Sequence, residues 1–429
     1  MRRTAVVWVM AILGQALLLV PASKAQQEQP APPRPSAAAI FEQTLAEQGL
    51  EAARTRLREV MADTTDAYAV EPYELLRLTP LRLRQQGKRA EALALLELMA
   101  DYFGDSPRFW PELGDAYLQA NNRDKAKSAL SRAVELDPSR TDITWTLDHL
   151  DQILATIQVQ LAAEGKYAPG QNTGLKGPYL GQKPPGRQPE VFAPGIVNTT
   201  DNEYSITFSP DGREIYFSRG GTGTLVCRWK DEGWTAPEVI HLIDEQHLTE
   251  EANVAPDGRR IFFCGRVGLR GEREIYVADR VGEGWGVPTK LFSGMYPTST
   301  LDGVLYYTEI TGRPDFGVIV RRLPTGDGFG EPEVIRGNMN SEAPDAHPFI
   351  APDESFLLFD TYRQPGAGIY ICFRQADGSW GEIVSICDHL GIPPVGQAAL
   401  SPDGKYLFFS MCNDMYWVDA GFLAGLKRE

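Results

Sequence analysis

A four-residue turn, repeated five times together with the strand that follows it, constrains this chain more than any other feature. It first stands at Ser209-Pro210-Asp211-Gly212, ahead of Glu214-Ile215-Tyr216-Phe217-Ser218. It returns as Ala255-Pro256-Asp257-Gly258 before Ile261-Phe262-Phe263-Cys264, and as Thr300-Leu301-Asp302-Gly303 before Leu305-Tyr306-Tyr307-Thr308. The last copies are Ala351-Pro352-Asp353-Glu354 before Phe356-Leu357-Leu358-Phe359, and Ser401-Pro402-Asp403-Gly404 before Tyr406-Leu407-Phe408-Phe409. Proline presets φ, aspartate accepts from a backbone N–H, and glycine takes positive φ, so each copy is a tight turn. The spacing of roughly 45 to 51 residues is that of a propeller blade.

Each unit continues in the same way. A third strand follows, as in Ile275-Tyr276-Val277 or Ile369-Tyr370-Ile371, then a turn such as Gly233-Trp234 or Gly284-Trp285, then a fourth strand opening at Pro237-Glu238-Val239 or Pro332-Glu333-Val334. Four antiparallel strands per unit make a blade. The fifth unit stops after Tyr416-Trp417-Val418, and its missing strand stands at the other end as Pro189-Glu190-Val191. The pattern predicts five blades, closed by the domain's own first strand, which removes both sheet edges.

These turn-and-strand units resemble the WD40-like propeller repeats of the TolB type. The resemblance covers residues 189–429, with Leu301 in place of proline and Glu354 in place of glycine as departures. It implies a periplasmic or secreted interaction module and no particular ligand, because a propeller fold does not fix function.

The preceding half reads differently. From Ala37 to about Gly165, leucine and alanine recur at helical spacing. Trp110, Leu113, Gly114, Tyr117, Ala126, Leu130, Ala133 and Pro138 fall on the signature positions of a tetratricopeptide repeat. Gly114 and Ala126 are small where the two helices meet. A looser unit spans Glu71 to Gly104, with Pro80 inside its expected first helix, where it should kink or shorten it. A weaker pair spans Ala38 to Met61, and Asp142 to Glu164 reads as one long capping helix. The expected architecture is therefore multidomain, α plus all-β: a short tetratricopeptide solenoid followed by a propeller.

The expected boundaries are a signal peptide over 1–25, a flexible tether over 26–35, helical repeats over 36–165, a Pro/Gly-rich linker or strap over 166–188, and the propeller over 189–429. The leader rests on Arg2 and Arg3, the apolar run from Ala5 to Val20, and small residues up to Ala25. It implies a periplasmic or secreted chain with no stable membrane span after cleavage. Tyr179 and Leu180 give the linker something to bury, which favours a packed strap. The net charge of −15 argues against nucleic acid. Five cysteines without short spacing are not a disulfide framework, and buried unpaired thiols are expected, with a Cys372–Cys387 bridge as the alternative.

Function is expected to be binding. The helical groove is assigned to a partner protein, and the propeller mouth to a peptide, a glycan or a second protein. Six residues before each turn aspartate stand Ser205, Glu251, Tyr296, His347 and Gln397, all polar or aromatic and expected to ring one end of the channel. A second set, Arg219, Arg266, Glu309, Asp360, Arg363 and Asn413, follows the aromatic strands and is expected at the rim. The rival is a glycan-active enzyme, hydrolase or lyase, using channel carboxylates among Glu251, Glu309, Asp345 and Asp360, with Glu203 also available. The five histidines lack ligand spacing, and there is no nucleophile elbow or phosphate loop, so no metal or cofactor is expected.

Overall fold

The computed structural model describes residues 34–268, 271–310, 317–326, 328–337, 339–340, 344–361, 363 and 366–427. The signal peptide expected over 1–25, and the tether up to residue 33, lie outside the described residues.

The helical half is built from antiparallel pairs: α1 (Ala37–Gln48) with α2 (Leu50–Met61), α3 (Thr79–Gln85) with α4 (Arg89–Phe103), and α5 (Phe109–Gln119) with α6 (Arg123–Leu136). Gly114 shows why this sequence pairs so closely: a Cβ there would stand 2.7 Å from Leu130 Cδ2. Ala126 and Ala133 are fully buried in the same seam. Pro80 removes a backbone donor one residue into α3. The chain meets it through a π-helical turn over Glu74–Leu78, in which the Thr79 N–H bonds to Glu74 O.

The long terminal helix expected over 142–164 is instead two, α7 (Thr141–Asp148) and α8 (Leu150–Ala163). His149 breaks it. Its ring stacks on Trp145 at 4.0 Å, and its Nδ1 lies 2.8 Å from Trp145 O. The apolar spacing runs through the break and so conceals it: Leu150, Leu154 and Ile157 join the helical core.

Residues 189–427 form a five-bladed propeller. The innermost strands are Glu203–Phe208, His247–Val254, Met295–Ser299, Asp345–Ile350 and Gly396–Leu400, taken as blades 1 to 5. Each pairs with a second strand and, through it, a third. Glu190–Val191 pairs with Asp414–Asp419, with Glu190 opposite Trp417 and Val191 opposite Tyr416, so blade 5 is closed by the first strand. The turns follow their sequence. Ser209 Oγ donates to Asp211 Oδ1 (2.6 Å), which accepts the Arg213 N–H (3.1 Å), and Gly212 takes φ 68°. Glu354 adopts φ 58° despite its side chain, and its carboxylate accepts from Tyr306 Oη and Arg321.

The linker lies along blade 1 and then reaches the turn end of the ring. Trp234 Nε1 donates to Gly177 O (2.7 Å), and Tyr179 Oη donates to Asp403 Oδ1 (3.0 Å). Leu180 is buried with Phe192, Phe208, Phe408 and Trp417. All five cysteines are free, and all but Cys412 are buried.

Candidate functional site

Every innermost strand loses register at one place. In blade 1 the pairing passes from Tyr204–Ser218 to Ile206–Phe217, and in blade 4 from Ala346–Asp360 to Phe349–Leu358. Blades 2, 3 and 5 shift at the equivalent point. These are β-bulges, which re-aim side chains next to functional sites. The residue at each bulge is the one six before the turn aspartate. Ser205, Glu251, Tyr296, His347 and Gln397 take φ of 50°, 55°, 52°, 52° and 58°, all in the left-handed region. Five non-glycine residues there carry strain that their surroundings must hold.

Neighbouring blades hold three of them. The Glu251 N–H donates to Ser218 Oγ of blade 1 (2.8 Å), the Tyr296 N–H to Glu251 Oε2 of blade 2 (2.9 Å), and the His347 N–H to Thr308 Oγ1 of blade 3 (3.0 Å). His347 Nδ1 lies 2.8 Å from Asp360 Oδ1, and the His347 ring meets Tyr296 edge-on at 5.1 Å. Burial opposes charge on this imidazole, but the Asp360 carboxylate outweighs it and raises its pKa. Burial likewise raises Glu251, opposed by His347 and Arg273. Gln397 Oε1 accepts from Ser410 Oγ (3.0 Å).

The three arginines of the second predicted set clamp buried acids of the innermost strands. Arg219 bonds Glu203 (2.5 Å), Arg266 bonds Glu250 (2.9 Å), and Arg363 bonds Asp345 (2.9 Å), each acid being buried. Tyr204 Oη adds a second donor to Glu250 (2.5 Å). Glu309 is half-buried, 3.5 Å from Tyr307 Oη.

The helical half sits on this bulged end of the ring. Gln85 Nε2 donates to Gly220 O (2.8 Å), Gln119 Nε2 to Thr200 O (3.0 Å), Arg89 Nη2 to Thr200 Oγ1 (2.9 Å) and Gln160 Nε2 to Asp414 Oδ1 (2.8 Å). Between the halves lies a cavity of about 770 Å³. Its walls on the helical side come from α3, α5, α7 and α8, including Arg84, Asp115, Gln119 and Gln160. Its floor comes from the propeller and includes Glu250, Glu251, Arg266, Arg273, His347, Asp360, Gln397 and Asn413. The groove and the channel mouth, expected as separate sites, thus line one chamber. Ser205 and Tyr296 are buried and do not line it, nor do Arg219, Glu203, Glu309, Asp345 and Arg363.

Two further carboxyls in this chamber, besides Glu251, stand high. Burial pushes Asp115 up to about 6 against the pull of Arg84, and burial with the nearby Glu203 charge lifts Asp414 well above the usual range. Sequence reasoning missed Arg84, Asp115, Gln119, Gln160 and Arg273. Asp115 and Gln119 stand four apart on α5, while Arg84 and Gln160 are single polar residues on α3 and α8, a pattern shared with any solvated face. Arg273 lies outside the repeated motif. Among the described residues, no three His, Cys, Asp or Glu side chains converge as metal ligands.

The fold and the chamber define the class: a five-bladed propeller capped by a short tetratricopeptide array. Residues 83–144 match the tetratricopeptide repeat family. No curated protein matches the sequence. Among solved structures, putative TolB from Agrobacterium tumefaciens is 20% identical with a TM-score of 0.37, over 49% of this chain and 70% of that one. TolB from Acinetobacter baumannii is 15% identical with a TM-score of 0.36, over 54% of this chain and 59% of that one. A gluconolactonase from Xanthomonas campestris is 14% identical with a TM-score of 0.33, over 51% of this chain and 85% of that one. TolB-type proteins and an enzyme thus stand side by side, and likenesses at this level say nothing of a ligand.

Proposed function

We propose that this chain is a binding scaffold of the periplasm or of the secreted space, and that it holds its ligand between cap and channel. The observation that carries this reading is the shared chamber. The inner helix face of the array and the bulged ring of the propeller both turn polar side chains toward one cavity of about 770 Å³, a size suited to a small ligand or a chain end. The ligand is the terminal part of a peptide or a glycan, and the outer faces of the helices are left for a partner protein. The leader read in residues 1–25 supports the compartment, and no described helix is long and apolar enough to cross a membrane.

The test compares capture from envelope extract by the wild-type chain and by Glu251→Ala/His347→Ala. Partners or glycans present with the first and lost with the second support the chamber. Identical capture by both rejects it as the site. A second reading, a glycan-active enzyme, draws on Glu251 and Asp360 lining the same cavity. It requires a retained polysaccharide to shorten on incubation, and the shortening to stop in Glu251→Gln.

A further inference from the structure

Acids outnumber bases along the chamber, yet its arginines are not all paired with them. Three of its arginines are committed: Arg77 to Glu112 (2.9 Å), Arg140 to Asp142 (2.7 Å) and Arg266 to Glu250 (2.9 Å). His347 is committed to Asp360. Arg84 on the helical wall and Arg273 on the propeller floor differ. Neither makes a side-chain hydrogen bond or ion pair with any described residue, and the Nε of each is buried without a partner. Arg84 feels Asp115, and Arg273 feels Glu251 and Glu250, only at longer range. A guanidinium Nε withdrawn from water with its donor unspent is costly, and a planar anion that takes Nε and a neighbouring Nη through two parallel hydrogen bonds recovers that cost. Beside them, Gln119 is buried with its Oε1 unpartnered, an acceptor awaiting a donor.

We infer that the chamber receives a small ligand bearing a carboxylate, which Arg273 takes at the floor, while Arg84 and Gln119 take a further acceptor and a donor from the cap. This rests on reading the chamber as the binding site. The chemistry is shared by the free end of a peptide and by an acidic sugar.

The test is calorimetric titration of the full chain with two matched pairs. The first is N-acetyl-dialanine with a free carboxylate against its amide, and the second is galacturonic acid against its methyl ester. The expected result is that the acid of at least one pair binds and its neutral partner binds about ten- to hundredfold more weakly. Which pair responds identifies the source. Arg273→Gln and Arg84→Gln, on separate domains and checked for unchanged melting, should each lose about tenfold or more for that acid. Neutral and acid members binding alike would overturn the carboxylate assignment and leave the chamber standing as a site. Neither acid binding, or Arg273→Gln binding as well as wild type, would also overturn it. Capture by wild type but not by Glu251→Ala/His347→Ala separates this failure from failure of the chamber itself.

Discussion

Gln397 holds φ 58° with an ordinary side chain, as do the four other bulge residues at their own positive φ. A left-handed L-residue costs about 1–2 kcal/mol, so Gln397→Gly should relieve strain while losing the Ser410 hydrogen bond. Denaturant melts should place it within about 1 kcal/mol of wild type. Gln397→Val, β-branched at positive φ, should instead destabilise by about 2 kcal/mol or more. His347 makes a second prediction. Its folded pKa is raised above the unfolded 6.5, so its stabilising contribution is full below 6.5 and is lost as pH rises through the folded value. Asp360→Asn removes the main support. NMR titration should show the His347 pKa falling, and the stability slope above pH 6.5 should flatten. The position of these five residues was legible in the sequence, because a repeat that keeps its phase puts equivalent residues at equivalent places. Their conformation was not, since a bulge leaves no signal in residue type: serine, glutamate, tyrosine, histidine and glutamine all occupy it.

At the level of elements, close approach and its cost come from one glycine. Gly114→Ala puts a methyl 2.7 Å from Leu130 Cδ2. Leu130 must shift, and the α5–α6 pair should lose about 1–3 kcal/mol, read as a lower melting temperature of the helical half. Loss confined to a few tenths of a kcal/mol would mean that the seam is looser than the structure describes. The helix pairing was readable here because small residues at fixed spacing have one physical use. Pro80, expected to kink or shorten its helix, stands in the first turn of the short α3, which a π turn precedes. One other helix was misread for an equally physical reason. The break at His149 is masked by apolar residues that keep their period across it. The propeller strands read well because their turns carry obligatory residues. The clamps Glu203–Arg219, Glu250–Arg266 and Asp345–Arg363 did not, because each joins strands whose charged residues look like a solvated rim when taken alone.

The whole molecule is defined by how its two halves meet, and neither repeat pattern encodes that meeting. Asp115 sits where they meet, facing Arg84, Arg77, Glu112 and Asp414. Its folded pKa of about 6 lies above the usual 3.8. The folded state therefore holds this proton more tightly than the unfolded chain, and the contribution of Asp115 to stability falls as pH rises from about 4 through 6. Asp115→Asn should flatten that segment of the stability-versus-pH curve. The same slope in variant and wild type would assign it to other groups.

The most direct measurement of the docking itself is cross-linking at Gln160 and Asp414, whose side chains bond at 2.8 Å across the interface. In a Cys412→Ser background, Gln160→Cys/Asp414→Cys is treated with a short bifunctional maleimide, and the product is read by mass spectrometry. Arg132→Cys/Asp414→Cys, with its first site on the outer helix α6, serves as control. A cap seated over the channel predicts rapid cross-linking of the first pair and little of the second. Equal rates for both pairs would mean that the helical array is not seated on the ring, and the shared chamber would not exist.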